Sequence, residues 1–242
     1  MMRIEFCGKS DVGLVRSNNE DIFVVDPRLR YGLVADGMGG AAAGEMASQL
    51  FAQTAIERFA GFESVTEQAT AEQVQQVFRL ANDRILAHVA QHPHHEGMGC
   101  TAELIAFTPS TYVIGHMGDS RTYRWRTNSL KQLTKDHSLV QSQIDQGLIS
   151  ESQARGHSMR NVILRAVGVR PDPALDVLRG PILSGDVFLL CSDGLTDLVE
   201  DAAIAGVFMQ AGPIEPMCHR LIDMAKQAGG KDNVTVVIAK AL

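Results

Sequence analysis

The chain has 242 residues, 45% hydrophobic and 21% charged, which suits one large globular domain or two small ones with a buried core. A formal net charge of −6 argues against a nucleic-acid-binding surface, which would need clustered positive charge. The N-terminus lacks an apolar signal region and the longest apolar runs are strand-length, so we expect a cytoplasmic protein that neither crosses nor contacts a membrane.

The first half of the chain changes from helical to strand periodicity. Apolar residues at helical spacing predict a helix over 44–60 and a second over 70–91, the latter opened by a capping box of Thr70 and Gln73. Short β-type segments separated by turn residues follow over 100–133. They are typical of an antiparallel meander.

The second half begins with a polar helical excursion over 138–159 that has few large apolar residues. The pattern then predicts two strands, two helices and a final strand, over 175–180, 186–194, about 200–211, 213–228 and 233–240.

No repeat or linker divides the sequence, so we expect one domain over 1–242. Paired helices and grouped antiparallel strands indicate an α+β protein with layered sheets, not a parallel βαβ sheet. The four cysteines show no CxxC spacing, so we expect reduced, mostly buried thiols without zinc or disulfides. They are Cys7, Cys100, Cys191 and Cys218.

Acidic residues recur beside glycine at the ends of the predicted strands. Each alone is most simply a turn residue. Strand ends in a packed sheet lie along one edge, however, and carboxylates that meet there repel one another unless cations lie between them. An all-oxygen ligand set suits Mg²⁺, Mn²⁺ or Ca²⁺, not zinc or copper. The candidates are Glu20, Asp21, Asp36, Asp119, Asp193 and Asp232.

Two neighbours of these acids, Gly37 and Arg16, complete the candidate site. Gly37 has no side chain, so its carbonyl can approach a metal. Glu20 and Asp21 are adjacent, and on an extended strand they point to opposite faces, so we expect only one to touch a metal directly. Arg16 would share the face of Glu20 and is a candidate phosphate receptor. A surface ion pair with one of these acids is the alternative interpretation of Arg16.

Eight segments, taken in order, resemble the PPM or type 2C metal-dependent Ser/Thr protein phosphatases. Together they cover nearly the whole chain, which makes the resemblance far more specific than any single motif. The segments are "GLVRSNNED" (13–21), "GLVADGMGG" (32–40), "MGCTA" (98–102), "GHMGDSR" (115–121), "LTKDHS" (133–138), "RNVILRAVG" (160–168), "FLLCSDGLTD" (188–197) and "GGKDNVTVV" (229–237).

The resemblance implies a four-layer α-β-β-α sandwich: two antiparallel sheets face to face, a helix pair outside each, and a mobile flap over about 138–160. It also implies two Mn²⁺ or Mg²⁺ ions. Asp36 would bridge them, Glu20 and the Gly37 carbonyl would hold one, and Asp193 with Asp232 the other.

The resemblance also implies a third, weaker ion near the flap, held by Asp119 with Asp193. Arg16 matches the phosphate-binding arginine, and Asp21 the acid that orients metal-bound water. The implied reaction is direct attack of a metal-bridging water on phosphoserine or phosphothreonine, in which Arg16, Asp21 and Asp36 are catalytic. Met38 stands where many eukaryotic members have a histidine that protonates the leaving group, so we expect metal-bound water to supply that proton.

The chain is similar to stand-alone bacterial members, which act in signal transduction and oppose Hanks-type Ser/Thr kinases. The implied partners are phosphorylated Ser/Thr proteins and a cognate kinase, with no nucleic acid and no membrane, and we expect a monomer. Some such members belong to type VI secretion clusters, a link that no residue here encodes.

The main alternative is a pseudophosphatase or adaptor that binds phosphoproteins without turnover. It is disfavoured because the matched ligands and Arg16 are all present. The segment "HPHHEG" (92–97) only half-matches a binuclear zinc signature and is read as a solvated loop. Cys191 lacks the arginine that a cysteine phosphatase needs six residues later, where Asp197 stands. His137 and His157 are expected to be partly exposed structural residues near the flap.

Overall fold

Ten strands form two five-stranded antiparallel sheets in the computed structural model, which describes residues 2–63, 65–210 and 212–242. The strands are β1 (Ile4–Asp11), β2 (Asp21–Asp26), β3 (Tyr31–Met38), β4 (Gly99–Phe107), β5 (Thr111–Met117), β6 (Arg121–Arg126), β7 (Ser129–Gln132), β8 (Asp176–Pro181), β9 (Val187–Cys191) and β10 (Val234–Ala241). One sheet has the order β1-β10-β9-β6-β7 and the other β2-β3-β4-β5-β8.

A pair of helices covers the outer face of each sheet, and shorter helices lie in the connections between elements. The helices are α1 (Ala41–Phe59), α2 (Glu67–Gln91), α3 (Leu139–Asp145), α4 (Glu151–Arg155), α5 (Asp193–Thr196), α6 (Asp201–Met209) and α7 (Ile214–Gln227), with a 3-10 turn at Pro93–His95. No helix among the described residues is both long and apolar enough to cross a membrane.

Three apolar cores separate four layers. Successive residues along a strand point to opposite faces of the sheet and therefore enter different cores. Leu33 packs with α1 and α2 while Val34 faces the other sheet; Leu189 packs with α6 and α7 while Leu190 faces the first sheet. Because both faces of each sheet are covered, the strands read as nearly continuous apolar runs. The predicted α-β-β-α sandwich is confirmed.

Both N-terminal helices begin earlier than predicted. The N-cap of α2 is Thr66, whose side-chain oxygen accepts from the Ala69 N–H at 3.2 Å. The capping box of Thr70 and Gln73 is therefore wrong: the Thr70 hydroxyl bonds back to the Thr66 carbonyl at 2.7 Å, and the Gln73 amide donates to the Arg58 carbonyl. The first turn of α2 is polar, so the apolar stripe could not mark where the helix starts.

The predicted meander is also wrong, because β5 and β6 lie in different sheets. The chain crosses between them at 118–120, where Gly118 adopts φ 115° and packs so closely on Thr101 that an added Cβ would lie 2.5 Å from its Cβ. Strand periodicity identifies a strand but not its partner, so it cannot distinguish a hairpin from such a crossing.

The remaining elements are close to the prediction, apart from β1 and the short α5, which have no predicted counterpart. The predicted helix over 200–211 is observed as Asp201–Met209, and residue 211 lies outside the described residues. The four cysteines are free, and Cys100, Cys191 and Cys218 are buried, as expected.

We predict that Phe78→Ala will lower the free energy of unfolding by about 3–5 kcal/mol. Phe78 is fully buried under α2 and meets Phe51 edge-on at 4.9 Å between ring centroids, so truncation leaves a cavity. Urea unfolding followed by circular dichroism measures the loss. Ile56→Ala, at a 50% exposed position of α1, is the control and should change the value by no more than about 0.5 kcal/mol.

Candidate active site

The predicted carboxylates lie along one edge of the sandwich. In the first sheet Asp21 opens β2 directly opposite Asp36 near the end of β3, and Asp119 follows β5. In the second sheet Asp193 follows β9 and Asp232 precedes β10. The antiparallel order turns these strand ends toward the same side, so acids far apart in sequence come within each other's electric field.

The pKa values of these acids show how closely they lie. Burial, and then the charges of Asp21 and Asp193, raise the pKa of Asp36 well above its ordinary value. Burial and then Asp119 do the same to the pKa of Asp193. Mainly through burial, the pKa of Asp21 is raised to about 6 and the pKa of Asp119 to about 7. The protein alone therefore does not neutralise this edge.

Among the residues that the structure describes, two buried carboxylate oxygens accept no hydrogen bond from the protein, Asp21 Oδ1 and Asp119 Oδ1. A buried carboxylate oxygen without a donor is costly, and a hard divalent cation or a water bound to it would satisfy such an oxygen. The oxygen-only donor set therefore fits Mg²⁺ or Mn²⁺. Across the described residues no three His, Cys, Asp or Glu side chains are already arranged as ligands of one ion, so binding would require these carboxylates to turn toward it.

Asp21 is anchored to the opposite sheet by its other oxygen. The Ser192 hydroxyl donates to Asp21 Oδ2 at 2.8 Å and accepts from the Thr235 N–H at 3.0 Å. This bond joins the start of β2 to the end of β9 and holds the Asp21 carboxyl in one orientation. Ser192 is fully buried, and its contact with Asp21 was not among the predicted features of the site.

Glu20 is held through its backbone. Its N–H donates to Asn233 Oδ1 at 2.8 Å, and its carbonyl accepts from the Ser48 hydroxyl at 2.6 Å and from the Gly37 N–H at 3.2 Å. Its carboxylate lies against Gly44 in α1, where an added Cβ would overlap Glu20 Oε2. A missing side chain in α1 thus makes room for the acid.

Gly37 also stands where a side chain would not fit. An added Cβ would overlap the Gly44 carbonyl and lie 2.9 Å from the Glu20 carbonyl. Packing of α1 on the end of β3 is therefore sufficient to require glycine, whether or not the Gly37 carbonyl binds an ion.

Asn233 clamps the loop that carries Arg16. Its amide nitrogen donates to the Val12 carbonyl at 3.1 Å and to the Asn18 carbonyl at 2.9 Å, and the side chain is buried. The sequence shows Asn233 only as part of an apparent turn beside Asp232. Its position directly before an apolar strand could have indicated this role, because a buried amide needs several hydrogen-bond partners.

Arg16 lies on this loop and not on a strand, so the predicted shared strand face with Glu20 is wrong. The loop over 12–20 separates β1 from β2. Arg16 Nη2 is 2.7 Å from Asp232 Oδ2, and half of its side chain is exposed. The ion pair that the sequence analysis considered therefore exists, with Asp232 as its partner.

The segment over 138–160 borders a cleft of 460 Å³ that reaches Asp119 and Asp193. Two ion pairs connect this segment to the region after β9: Arg155 to Glu200 at 2.6 Å and Arg160 to Asp197 at 3.5 Å. Both pairs are exposed, so each stabilises the contact only weakly.

His137 is buried, which corrects the expectation of partial exposure. Its N–H donates to the Gly118 carbonyl at 2.7 Å, and its Nδ1 accepts from the Gly118 N–H at 3.2 Å. The Leu164 N–H donates to the His137 carbonyl at 2.7 Å, so the returning chain covers the ring. Burial and then His116 lower the pKa of His137 to about 4, which keeps it neutral. His157 is half-buried.

Two further positions bear on the alternatives. Met38 is half-buried at the end of β3, opposite Gly99, and supplies no proton donor. Cys191 is fully buried, and burial raises the pKa of its thiol, so it is not a nucleophile.

Comparison with known proteins gives a consistent set of matches. The family model for protein phosphatase 2C matches residues 16–235. The serine/threonine protein phosphatase PstP of Mycobacterium tuberculosis is 40% identical over 98% of this chain, and the serine/threonine phosphatase stp of Listeria welshimeri is 33% identical over 99%. A crystal structure of the PstP catalytic domain in complex with two manganese ions is 36% identical, with a TM-score of 0.91 over all of both chains.

The lengths of these relatives differ. The chain spans 45% of PstP but 96% of the Listeria protein. The match to PstP is thus to part of that protein, whereas the match to the Listeria protein extends over nearly all of it.

We predict that Gly44→Ala will displace the Glu20 carboxylate and weaken Mn²⁺ binding at least about 10-fold in titration calorimetry, since the added methyl overlaps Glu20 Oε2. Gly206→Ala in α6 is the matched control, because an added Cβ there meets nothing within 4 Å. Unchanged Mn²⁺ affinity in Gly44→Ala would show that Glu20 is not a ligand.

Proposed function

Because the chain belongs to the protein phosphatase 2C family, we propose that it is a metal-dependent protein serine/threonine phosphatase that hydrolyses phosphoserine and phosphothreonine. The observation that carries the proposal is the row of mutually repelling carboxylates at one edge of the sandwich, with an arginine beside it. Such a site holds cations and, through them, a phosphate dianion.

The ligand roles are those that the family resemblance implies, and the positions of the acids are compatible with them. Asp36, which lies opposite Asp21 in the first sheet and is close enough to Asp193 and Asp232 to feel their charges, would bind both ions. Glu20 and the Gly37 carbonyl, at the α1 side, would hold one of them. Asp193 and Asp232, from the other sheet, would hold the second. Asp119 with Asp193 would serve a third ion near the cleft, and its unpartnered buried oxygen supports that role.

When bound, two Mn²⁺ or Mg²⁺ ions would lower the pKa of a water and neutralise the phosphate oxygens. The chain's own residues do the positioning. Arg16, on its clamped loop, binds the phosphate and orients it for in-line attack. Asp21 is fixed by Ser192 through Oδ2 and presents Oδ1 as an acceptor for the proton of the attacking water. Because Met38 has no proton to donate, the leaving-group proton would come from water held at the metal site.

A pseudophosphatase is disfavoured by the energetics of this edge. A protein that never binds cations gains nothing from burying several carboxylates that raise one another's pKa, and neutral replacements would make it more stable. We further propose that the chain acts as one monomeric domain whose flap covers 138–160, with phosphorylated Ser/Thr proteins and a cognate kinase as partners in the cytoplasm.

We predict that wild type hydrolyses p-nitrophenyl phosphate and a phosphothreonine peptide only with Mn²⁺ or Mg²⁺, and that chelator abolishes the activity. Asp36→Asn or Asp193→Asn should lower kcat by about 100-fold or more, because ligand charge is lost while size is kept. Asp223→Asn, on the exposed face of α7, is the control. Full activity in Asp36→Asn would rule out the bridging role, and an inactive wild type with ions present would favour the pseudophosphatase.

For Arg16→Ala we expect KM to rise about 10-fold with a smaller change in kcat, because a phosphate contact is lost. Arg16→Lys should recover only part of this, since lysine cannot form the bidentate contact. Steady-state kinetics on the phosphopeptide measures both. Arg3→Ala, which removes another exposed ion pair, should change neither constant. A fall in kcat at unchanged KM would instead mean that Arg16 serves to position Asp232.

A further inference from the structure

Four histidines lie together where α2 ends, and we call them the histidine cluster. His88 and His92 belong to the end of α2, and His94 and His95 to the 3-10 turn that follows. Ring centroids are 4.2 Å apart for His88 and His92, 5.1 Å for His88 and His95, and 4.3 Å for His94 and His95. None of them has a role in the proposed phosphatase reaction.

Local sequence explains why the rings meet. His88 and His92 are four residues apart and so lie on one face of the helix, a spacing that metal-binding helices use. Pro93 lacks the N–H that would continue α2, and the chain turns back there. The turn brings His95 Nδ1 to 2.9 Å from His88 Nε2.

These two nitrogens are already near the separation that a metal ion needs. Two imidazole nitrogens on a tetrahedral ion with Zn–N bonds of about 2.0–2.1 Å are about 3.3 Å apart, so His88 and His95 would have to separate by only about 0.4 Å. The ion would take the place of the proton they now share.

A third nitrogen is chemically ready. His92 Nδ1 lies 3.0 Å from the His88 carbonyl, which can only accept, so Nδ1 carries the proton and Nε2 is the unprotonated nitrogen. The rings of His88, His92 and His95 are nearly parallel, 15° to 24° apart, which keeps their donors from converging as they stand. His92 would therefore join by rotation of its partly exposed ring.

The electrostatics favour a metal. Burial and the neighbouring histidines lower the pKa of both His88 and His95, which favours the neutral rings that a metal ion binds. The histidine cluster and the carboxylate edge should prefer different metal ions. Imidazole nitrogens suit Zn²⁺, Ni²⁺ and Cu²⁺, whereas carboxylates suit Mg²⁺ and Mn²⁺.

We propose that the histidine cluster binds one divalent ion of the Zn²⁺, Ni²⁺ or Cu²⁺ class through His88 Nε2, His95 Nδ1 and, after ring rotation, His92 Nε2. The ion cross-links the end of α2 to the turn that enters β4. The Met98 N–H donates to the His95 carbonyl at 3.0 Å, and an added Cβ on Gly39 would lie 2.7 Å from the Met98 Cα. The cross-link thus stiffens a segment that packs on the loop after β3.

The test is Zn²⁺ titration of the untagged protein in excess Mg²⁺, which keeps the carboxylate edge occupied. We expect the double variant His88→Gln/His95→Gln to lose at least 10-fold in Zn²⁺ affinity. His157→Gln and His219→Gln, at histidines outside the cluster, are the matched controls and should bind as wild type does. Zn²⁺ should also raise the Tm of wild type and both controls but not of the double variant, and bound Co²⁺ should show the visible absorption of a nitrogen-ligated ion.

Two results would overturn the proposal. The first is equal Zn²⁺ affinity in wild type and the double variant, which would place the ion elsewhere, for instance at the carboxylate edge. The second is no Zn²⁺ binding by wild type at all, which would leave the cluster as a stack of surface rings. Neither result bears on the phosphatase reaction, whose assay uses other residues.

Discussion

Repulsion among carboxylates is the constraint on which the structure depends. Asp21 and Asp36 face each other across one strand pair, and Asp193 and Asp232 approach from the other sheet. Each raises the pKa of Asp36, which already loses hydration by burial. Folding therefore works against these charges, and the surrounding sandwich must hold them in place until cations offset the cost.

The sandwich holds them with neutral groups. The Ser192 hydroxyl, from the opposite sheet, donates to Asp21. The Asn233 side chain accepts from the Glu20 N–H and also holds the Arg16 loop, and the Ser48 hydroxyl donates to the Glu20 carbonyl. Hydroxyl and amide groups orient the acids without neutralising them, so the negative potential remains available for a metal. Arg16 is a charged partner, and it pairs with Asp232 from a half-exposed position on a loop.

Much of this could be predicted from the sequence, because strand ends are marked by acids beside glycine and because paired helices with grouped antiparallel strands indicate layered sheets. The carboxylate edge and the layered fold depend on those two signals. The crossing at Gly118 and the cap at Thr66 could not be predicted, since periodicity carries no information about strand partners or about polar first turns. The roles of Asn233 and Gly44 could not be predicted for another reason. Asn233 bridges distant backbone groups through its buried amide, and Gly44 leaves space for a distant side chain, so both roles depend on segments that meet only in the folded protein.

The core between the two sheets has a consequence beyond stability. One sheet positions four of the acids, Glu20, Asp21, Asp36 and Asp119, and the other sheet positions Asp193 and Asp232. The distance between the sheets is set by the apolar side chains packed between them, which include Val34, Ile105, Phe188 and Leu190. The thickness of this layer therefore sets how far apart the two groups of carboxylates lie. A change of one methylene group deep in this layer, touching none of these acids, would alter the distance between carboxylates that belong to different sheets.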